Sequence, residues 1–416
     1  MIIASYKYPL KTLVLLIVLF GMPFVHFLIK DGITTHFDEI LAIACLGYIV
    51  KVFYEKKLSV AEKRIVLLLF GIVVIGVLSS IIHPMRQGVY PIMVDVLAFI
   101  KTIVVFVAFR HYTSNNISLD VCRRLSKFAK VILILAVVLA FIFQIYDFRD
   151  TDYARVFLLR PFALVNNNGI QTYWFLTGCL AFVLATEKRS IKYIIMYFIA
   201  TAITMSTLVL CGDALLLFFL FYNRRKDKIK IRTLIIIVIG ASILSFSAIQ
   251  EYIFDSSAPR SYFLQYGIKT GNRFFPLGAG FATYGSDMAA KHYSPLYYEY
   301  GFQTRYGLTP SSEGAYLYDN YFAMIIGQFG WIALLLFIAM FFYIFKLLNK
   351  RNKGMNIKAL NLAVFFVIVS SMVVSATSKS YFGVWMFAIL GLCSKIDYGK
   401  LRKENENSSD NANKIE

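Results

Sequence analysis

Arginines and carboxylates are gathered in one long polar stretch of an otherwise apolar chain. Arg260 and Arg273 lie in the first part of this stretch, and Glu313 and Asp319 lie near its end, where the chain becomes apolar again. Guanidinium groups bind phosphate oxygens through paired hydrogen bonds, and a carboxylate can accept the proton of a hydroxyl group. These residue types beside an apolar run indicate chemistry on a charged substrate carried by a lipid.

Arg260 is expected in the first turn of a short surface helix. Ser257 and Pro259 are typical of a helix start and Gly271 of a helix end, so the predicted helix covers about Pro259–Thr270. A cation in a first turn opposes the helix dipole, which favours a nearby anion such as a phosphate.

Asp319 stands at the head of the next apolar run, between Tyr318 and Asn320. It can cap that helix, since its carboxylate can accept hydrogen bonds from the following N–H groups. It can also act as a general base toward a sugar hydroxyl, and Glu313 is an equal alternative on spacing alone.

The glycines and tyrosines of residues 251–318 each allow two interpretations. Gly278, Gly280 and Gly285 are consistent with a phosphate-cradling loop or with a tight loop that packs closely through its backbone. The eleven tyrosines can form an aromatic belt at the membrane interface or platforms on which sugar rings stack.

Long apolar runs must position these residues. The chain has 416 residues, of which 58% are hydrophobic and 16% charged, and its apolar runs of about 20 residues predict an all-α, multi-pass membrane protein. The first run is expected to be a retained helix and not a signal peptide. The total predicted is about twelve membrane-spanning helices, within a range of ten to twelve.

The net charge of +19 reflects topology and not nucleic-acid binding, because Lys and Arg cluster in alternate loops. This pattern places both termini in the cytoplasm and the long loop outside. The predicted regions are N-terminal membrane helices with about nine spans, a long extracytoplasmic loop, C-terminal helices with about three spans, and a polar cytoplasmic tail. They cover residues 1–250, 251–318, 319–395 and 396–416.

Other charges and ligand types add little to the predicted site. Lys101 lies deep in an apolar run, which is typical of a functional charge or of an ion pair with an acid elsewhere. Asp213 is expected in an outward turn near residues 210–213. No spacing typical of a metal site or of a disulfide framework is present, so we expect neither a metal nor a cofactor.

Three stretches resemble the O-antigen polymerase and O-antigen ligase-like superfamily, most closely its capsular or exopolysaccharide repeat-unit polymerases. Residues 160–170 (RPFALVNNNGI) are similar to its Arg-x-x-Gly-x-Phe-x-Asn-x-Asn stretch, and residues 260–285 to its Arg-led helix and PLGxGxxxxG loop. Residues 319–330 (DNYFAMIIGQFG) are similar to its His-Asn-x-Leu…Glu-x-Gly signature. The ligases have His where this chain has Asp319 and Gly where it has Ala163, and the aspartate is closer to the polymerases.

The resemblance implies a family C glycosyltransferase-like membrane fold with its site at the outer face. The implied catalytic residues are Asp319, Glu313 and Arg260. The residues implied to bind pyrophosphate or sugar are Arg160, Arg273, Asn168, Asn320 and Tyr318. An aspartate with an ordinary pKa of about 3.9 is a weak base, so this role requires burial or a like charge that raises its pKa.

The activity implied is polymerisation of undecaprenyl-pyrophosphate-linked oligosaccharide repeats by metal-independent, inverting glycosyl transfer. The implied location is the bacterial plasma membrane, with lipid-linked donor and acceptor, the lipid bilayer, a chain-length regulator and a flippase as partners. Two alternatives remain open at this point. One is a ligase that moves finished glycan to another acceptor, and the other is a transporter or flippase of lipid-linked sugars.

Overall fold

Every regular element in the described part of the chain is a helix. A computed structural model describes residues 9–28, 36–83, 85, 88–145, 161–165, 169–187, 190–225, 259–310, 316–318, 320–349, 356–374 and 380–396. The helices of the first half are α1 Pro9–Leu28, α2 Phe37–Tyr54, α3 Val60–Ile82, α4 Val89–Tyr112, α5 Asn115–Ile145, α6 Gly169–Leu184, α7 Ile191–Ala202 and α8 Thr207–Arg225. Those of the second half are α9 Pro259–Arg273, α10 Asp287–Lys291, α11 Pro295–Glu299, the 3-10 turn Phe302–Thr304, α12 Tyr321–Leu348, α13 Asn356–Val374 and α14 Tyr381–Cys393.

Four of the described helices are long and apolar enough to cross a membrane: α3, α4, α5 and α12. Shorter apolar helices are α1, α6, α7, α8, α13 and α14. Of the four long helices α4 is the most enclosed, with 67% of its most apolar stretch buried, because α2, α3 and α14 pack around it. The predicted total of twelve spans and the boundaries of the four regions stay predictions.

Two of the described helix starts, those of α3 and α12, carry the capping side chains that local chemistry predicts. Ser59 and Glu62 form a reciprocal capping box at the start of α3. Asn320 caps α12, since its Oδ1 accepts a hydrogen bond of 2.9 Å from the N–H of Ala323. The cap is therefore one residue beyond Asp319, which lies outside the described residues.

The turn between α7 and α8 is earlier than the sequence predicts. It falls at residues 203–206, and Asp213 lies inside α8, buried, where its Oδ2 accepts a 2.7 Å hydrogen bond from Oγ1 of Thr201. The prediction of an outward turn near residues 210–213 is wrong, because these residues are helical and Asp213 is held inside the bundle by Thr201.

Residues 259–310 and 316–318 form a compact unit, here the loop domain, with an aromatic core of its own. Four of its tyrosines are buried in that core: Tyr284, Tyr293, Tyr297 and Tyr300. The ring of Tyr284 stacks on Phe263 with centroids 4.6 Å apart, and Tyr297 stacks on Phe302 at 5.3 Å. For these four residues the interpretation as an interfacial belt or a sugar platform is wrong, since their rings stabilise the domain from within.

Residues 274–286, here the glycine loop, insert between α3, α4 and α12. Helix α12 is interrupted at Gly330, whose φ of 75° and ψ of −173° are not helical. The carbonyl groups of Gly327 and Gln328 beside this break accept hydrogen bonds from the N–H groups of Ala279 and Gly280 at 2.9 and 2.8 Å. The loop thus supplies the backbone donors that the interrupted helix lacks.

Candidate site at two parallel helix starts

Helices α9 and α12 pack side by side and run in the same direction. Gly267 of α9 lies against Ala323 of α12, and Gly271, one turn further, lies against Ile326. A Cβ on Gly271 would be 2.8 Å from the carbonyl oxygen of Ile326. The GxxxG spacing therefore allows close contact between the two helices. It also explains why Gly271 does not end α9, which continues to Arg273.

The parallel arrangement points two positively polarised helix starts toward the same end, with the start of α9 about 9 Å beyond that of α12. Each helix N-terminus carries the equivalent of roughly half a positive charge. Neither α9 nor α12 has an acidic residue in its first turn. Arg260 adds a full positive charge, with its guanidinium carbon 5.6 Å from the ring centroid of Tyr316. This end of the helix pair is suited to a phosphate or another anion.

The segment before α12 lies at the same end. Tyr316 donates its N–H to the carbonyl of Gly307 at 3.2 Å, and its ring rests on Gly307, where a Cβ would be 2.0 Å from Cδ2. Tyr318 is partly buried and Asn320 is buried. Of the predicted site residues, the structure thus brings Arg260, Tyr318 and Asn320 to one end of the loop domain. Glu313 and Asp319 are outside the described residues.

Arg273 is at the other end of α9. Thirteen residues of helix separate it from Arg260 by about 20 Å, which is far more than a single pyrophosphate spans. Arg273 is exposed and pairs with the exposed carboxylate of Glu299, which raises the pKa of the guanidinium. The expectation that Arg260 and Arg273 hold one pyrophosphate together does not fit this geometry.

Arg160 and Asn168 lie outside the described residues, but their neighbours are placed. Phe162 donates its N–H to the carbonyl of Ile203 at 2.9 Å. The N–H groups of Leu164 and Val165 both donate to Oγ1 of Thr172 in α6, at 2.9 and 3.0 Å. This segment is therefore fastened to the start of α6 and to the turn that follows α7.

The glycine loop is not a phosphate cradle, because protein acceptors use its N–H groups. Besides the two donors to α12, Phe281 donates to Oγ of Ser80, Ala282 to Asp95 and Gly285 to the hydroxyl of Tyr297. A Cβ on Gly280 would be 2.5 Å from Oγ of Ser80. The interpretation as a tight loop with close backbone packing is the one that the geometry supports.

Two buried charged residues in α4 have structural partners. Lys101 forms an ion pair with Asp38 of α2, with Nζ and Oδ2 2.6 Å apart. The sequence predicted an acidic partner for Lys101 without identifying it, and the structure shows that this partner is Asp38. Asp95 accepts hydrogen bonds from Ala282 and from Gln328. Sequence analysis missed Gln328, whose only signal is an amide inside an apolar run.

The fold and its hydropathy define a multi-pass membrane protein built of helices. Compared with models of known protein families and with curated proteins, the chain matches none.

Proposed function

We propose that the protein is a polysaccharide polymerase that joins undecaprenyl-pyrophosphate-linked oligosaccharide repeats at the outer face of the plasma membrane. The observation that carries this proposal is the anion-attracting end of the α9–α12 pair, with Arg260 beside Tyr316. A pyrophosphate leaving group needs such positive charge as its bond to the sugar breaks. Tyr318 stands partly exposed at the same end, which suits contact with the attached sugar, whereas the buried Asn320 caps α12.

The reaction is an inverting displacement. A carboxylate, Asp319 or Glu313, accepts the proton of the acceptor hydroxyl, whose oxygen forms a bond to the anomeric carbon of the donor. The bond from that carbon to the pyrophosphate oxygen breaks, and the electron pair leaves with the polyprenyl pyrophosphate. Arg260 stabilises the negative charge that develops there. Arg273 takes no part in this step.

The test is the surface glycan of cells that express single variants in a deletion background. Arg260→Ala is expected to abolish the long glycan ladder, with single repeat units accumulating, and Arg260→Lys to restore part of it. Lys291→Ala is the control, because it removes an exposed cation from another helix of the loop domain, α10. A normal ladder with Arg260→Ala would contradict the proposal.

The same experiment separates the alternatives. Complete long chains that stay on the lipid carrier would assign a ligase, and loss of outward lipid-linked repeats would assign a flippase. The break in α12 gives no support to a transporter. Broken helices in transporters leave backbone groups for the substrate, whereas the carbonyl groups at this break accept hydrogen bonds from Ala279 and Gly280.

A further inference from the structure

One face of α9 combines tyrosines with cations. Tyr262, Tyr266, Lys269 and Arg273 follow one another at intervals of four, three and four residues, which places them in one row along the helix. The two tyrosines are partly buried, and Lys269 and Arg273 are exposed. The row is about 16 Å long, and with Arg305 it forms what we term the aromatic–basic face.

The cations of this face lie on the aromatic rings. The guanidinium carbon of Arg305 is 4.3 Å from the ring centroid of Tyr262. Lys269 Nζ is 5.0 Å from the ring of Tyr266 and 5.5 Å from that of Tyr300. The rings of Tyr262 and Tyr266 are themselves 4.4 Å apart. Such stacking fixes the position of a cation while its N–H groups stay available to an anion.

Among the described residues, positive charge is in excess on this face. Within the described chain, no carboxylate lies within ion-pair distance of Lys269 or Arg305, while Arg273 pairs with Glu299. Among the described residues of this face, three cations therefore face one acid, Glu299.

We propose that the aromatic–basic face binds the acceptor glycan and that this glycan is acidic. The partly buried rings of Tyr262 and Tyr266 hold Arg305 and Lys269 in place, and these exposed cations suit the carboxylates of an acidic sugar. A lipid surface fits less well, because among the described residues of the loop domain the exposed large apolar side chains are Phe275, Tyr298 and Tyr306, with no exposed aliphatic residue. The identity of the ligand as an acceptor rests on the proposed polymerase function.

The test is a binding titration of the full chain in nanodiscs of neutral lipid, with no turnover required. The probes are an oligogalacturonate and a malto-oligosaccharide of equal length. We expect the acidic probe to bind about tenfold more tightly than the neutral one, and the difference to shrink in high salt. The double variant Lys269→Gln, Arg305→Gln is expected to abolish this difference.

Lys291→Gln is the matched control, since it removes an exposed charge from α10 of the same domain and should leave the preference intact. Equal affinity for the two probes, or equal loss of preference in the control variant, would overturn the proposal. Competition by anionic phospholipid vesicles as strong as that of the acidic probe would assign the face to a lipid surface instead.

The binding titration and the glycan-ladder experiment test the two proposals independently. An acid preference that depends on Lys269 and Arg305, together with a ladder unaffected by Arg260→Ala, would refute the polymerase function and leave an acidic-glycan site. An Arg260-dependent ladder without any acid preference would refute only the inference about the aromatic–basic face.

Discussion

Asp95 and Gln328, on α4 and α12, are joined by a buried hydrogen bond of 3.0 Å from Nε2 to Oδ2. The same carboxylate oxygen accepts the N–H of Ala282 at 2.7 Å, so one side chain holds the glycine loop and the interrupted helix together. Asp95→Ala would leave both donors buried without this acceptor. We expect it to lower the free energy of unfolding by about 3 kcal/mol, and Asp95→Asn to cost less because one acceptor oxygen remains.

Stability can be followed through the buried cysteines. Cys45, Cys122, Cys179 and Cys393 are buried and unpaired, whereas Cys211 is exposed. In a Cys211→Ser background, the reaction of a thiol reagent during heating in detergent therefore reports unfolding. Asp287→Asn, an exposed acid of the loop domain, is the control for Asp95. Equal thermal unfolding midpoints for Asp95→Ala and this control would contradict the proposal that Asp95 holds the glycine loop and α12 together.

The break in α12 requires glycine at position 330. A Cβ there would be 2.3 Å from the carbonyl oxygen of Pro276, and the φ of 75° disfavours any other residue. Gly330→Ala should therefore destabilise the protein by more than the ~1 kcal/mol of backbone strain alone. Gly301→Ala is the control, because Gly301 has a similar φ of 70° but no atom within 4 Å of the added Cβ. Similar thermal midpoints for the two variants would show that the loop can move aside.

The ion pair between Lys101 and Asp38 gives a non-additive prediction. Lys101→Met alone leaves the carboxylate of Asp38 buried without its cation, which costs about 3–5 kcal/mol. Replacing both residues by apolar ones, as in Asp38→Leu with Lys101→Met, should restore most of that loss. If the double variant lost as much free energy of unfolding as the two single variants together, the two residues would act separately.

Alkaline pH should unfold the loop domain. Burial raises the pKa of Tyr293 to about 12 from its ordinary value of 10, and burial also raises the pKa values of Tyr284 and Tyr297. An unfolded tyrosine loses its proton first, so the stability contributed by these residues is complete below pH 10 and is lost as the pH rises toward 12.

The measurement for this prediction is tyrosinate absorbance, recorded together with near-ultraviolet circular dichroism. We expect a group of tyrosines to ionise only as the loop domain unfolds. Tyr293→Phe, which removes one ionisable hydroxyl from the core, should move this transition to higher pH. Ionisation of all tyrosines before any loss of dichroism would contradict the prediction.

Local signals in the sequence predicted the start of α9 but not its end. Pro259 begins the helix as predicted, because the preference of proline for a first turn is a property of the residue itself. The function of Gly271 depends on Ile326, which is 55 positions later in the chain. Single-sequence patterns carry no information on which helix packs against that glycine.

The candidate site likewise combines features that local sequence predicts with features that depend on long-range packing. The position of Arg260 in a first turn followed from the sequence. Its proximity to Tyr316 depends on the direction in which α9 and α12 pack, whereas its separation from Arg273 follows from the length of α9 alone. Composition likewise predicted a tyrosine-rich loop, but burial of Tyr284 and Tyr297 becomes visible only when the loop closes on itself.

The long chain separation between Asp95 and its donors has a consequence for biosynthesis. Gln328 follows Asp95 by 233 residues, so at about 5–20 residues per second the ribosome completes the pair roughly 12–50 s after it makes α4. Ser80 of α3 differs, since its hydroxyl donates to the carbonyl of Gly76 in its own helix before Phe281, 201 residues later, can donate to it. During this interval the carboxylate of Asp95 has neither the donor from the glycine loop nor the one from α12, so the nascent α4 carries an acid that its final contacts do not yet stabilise.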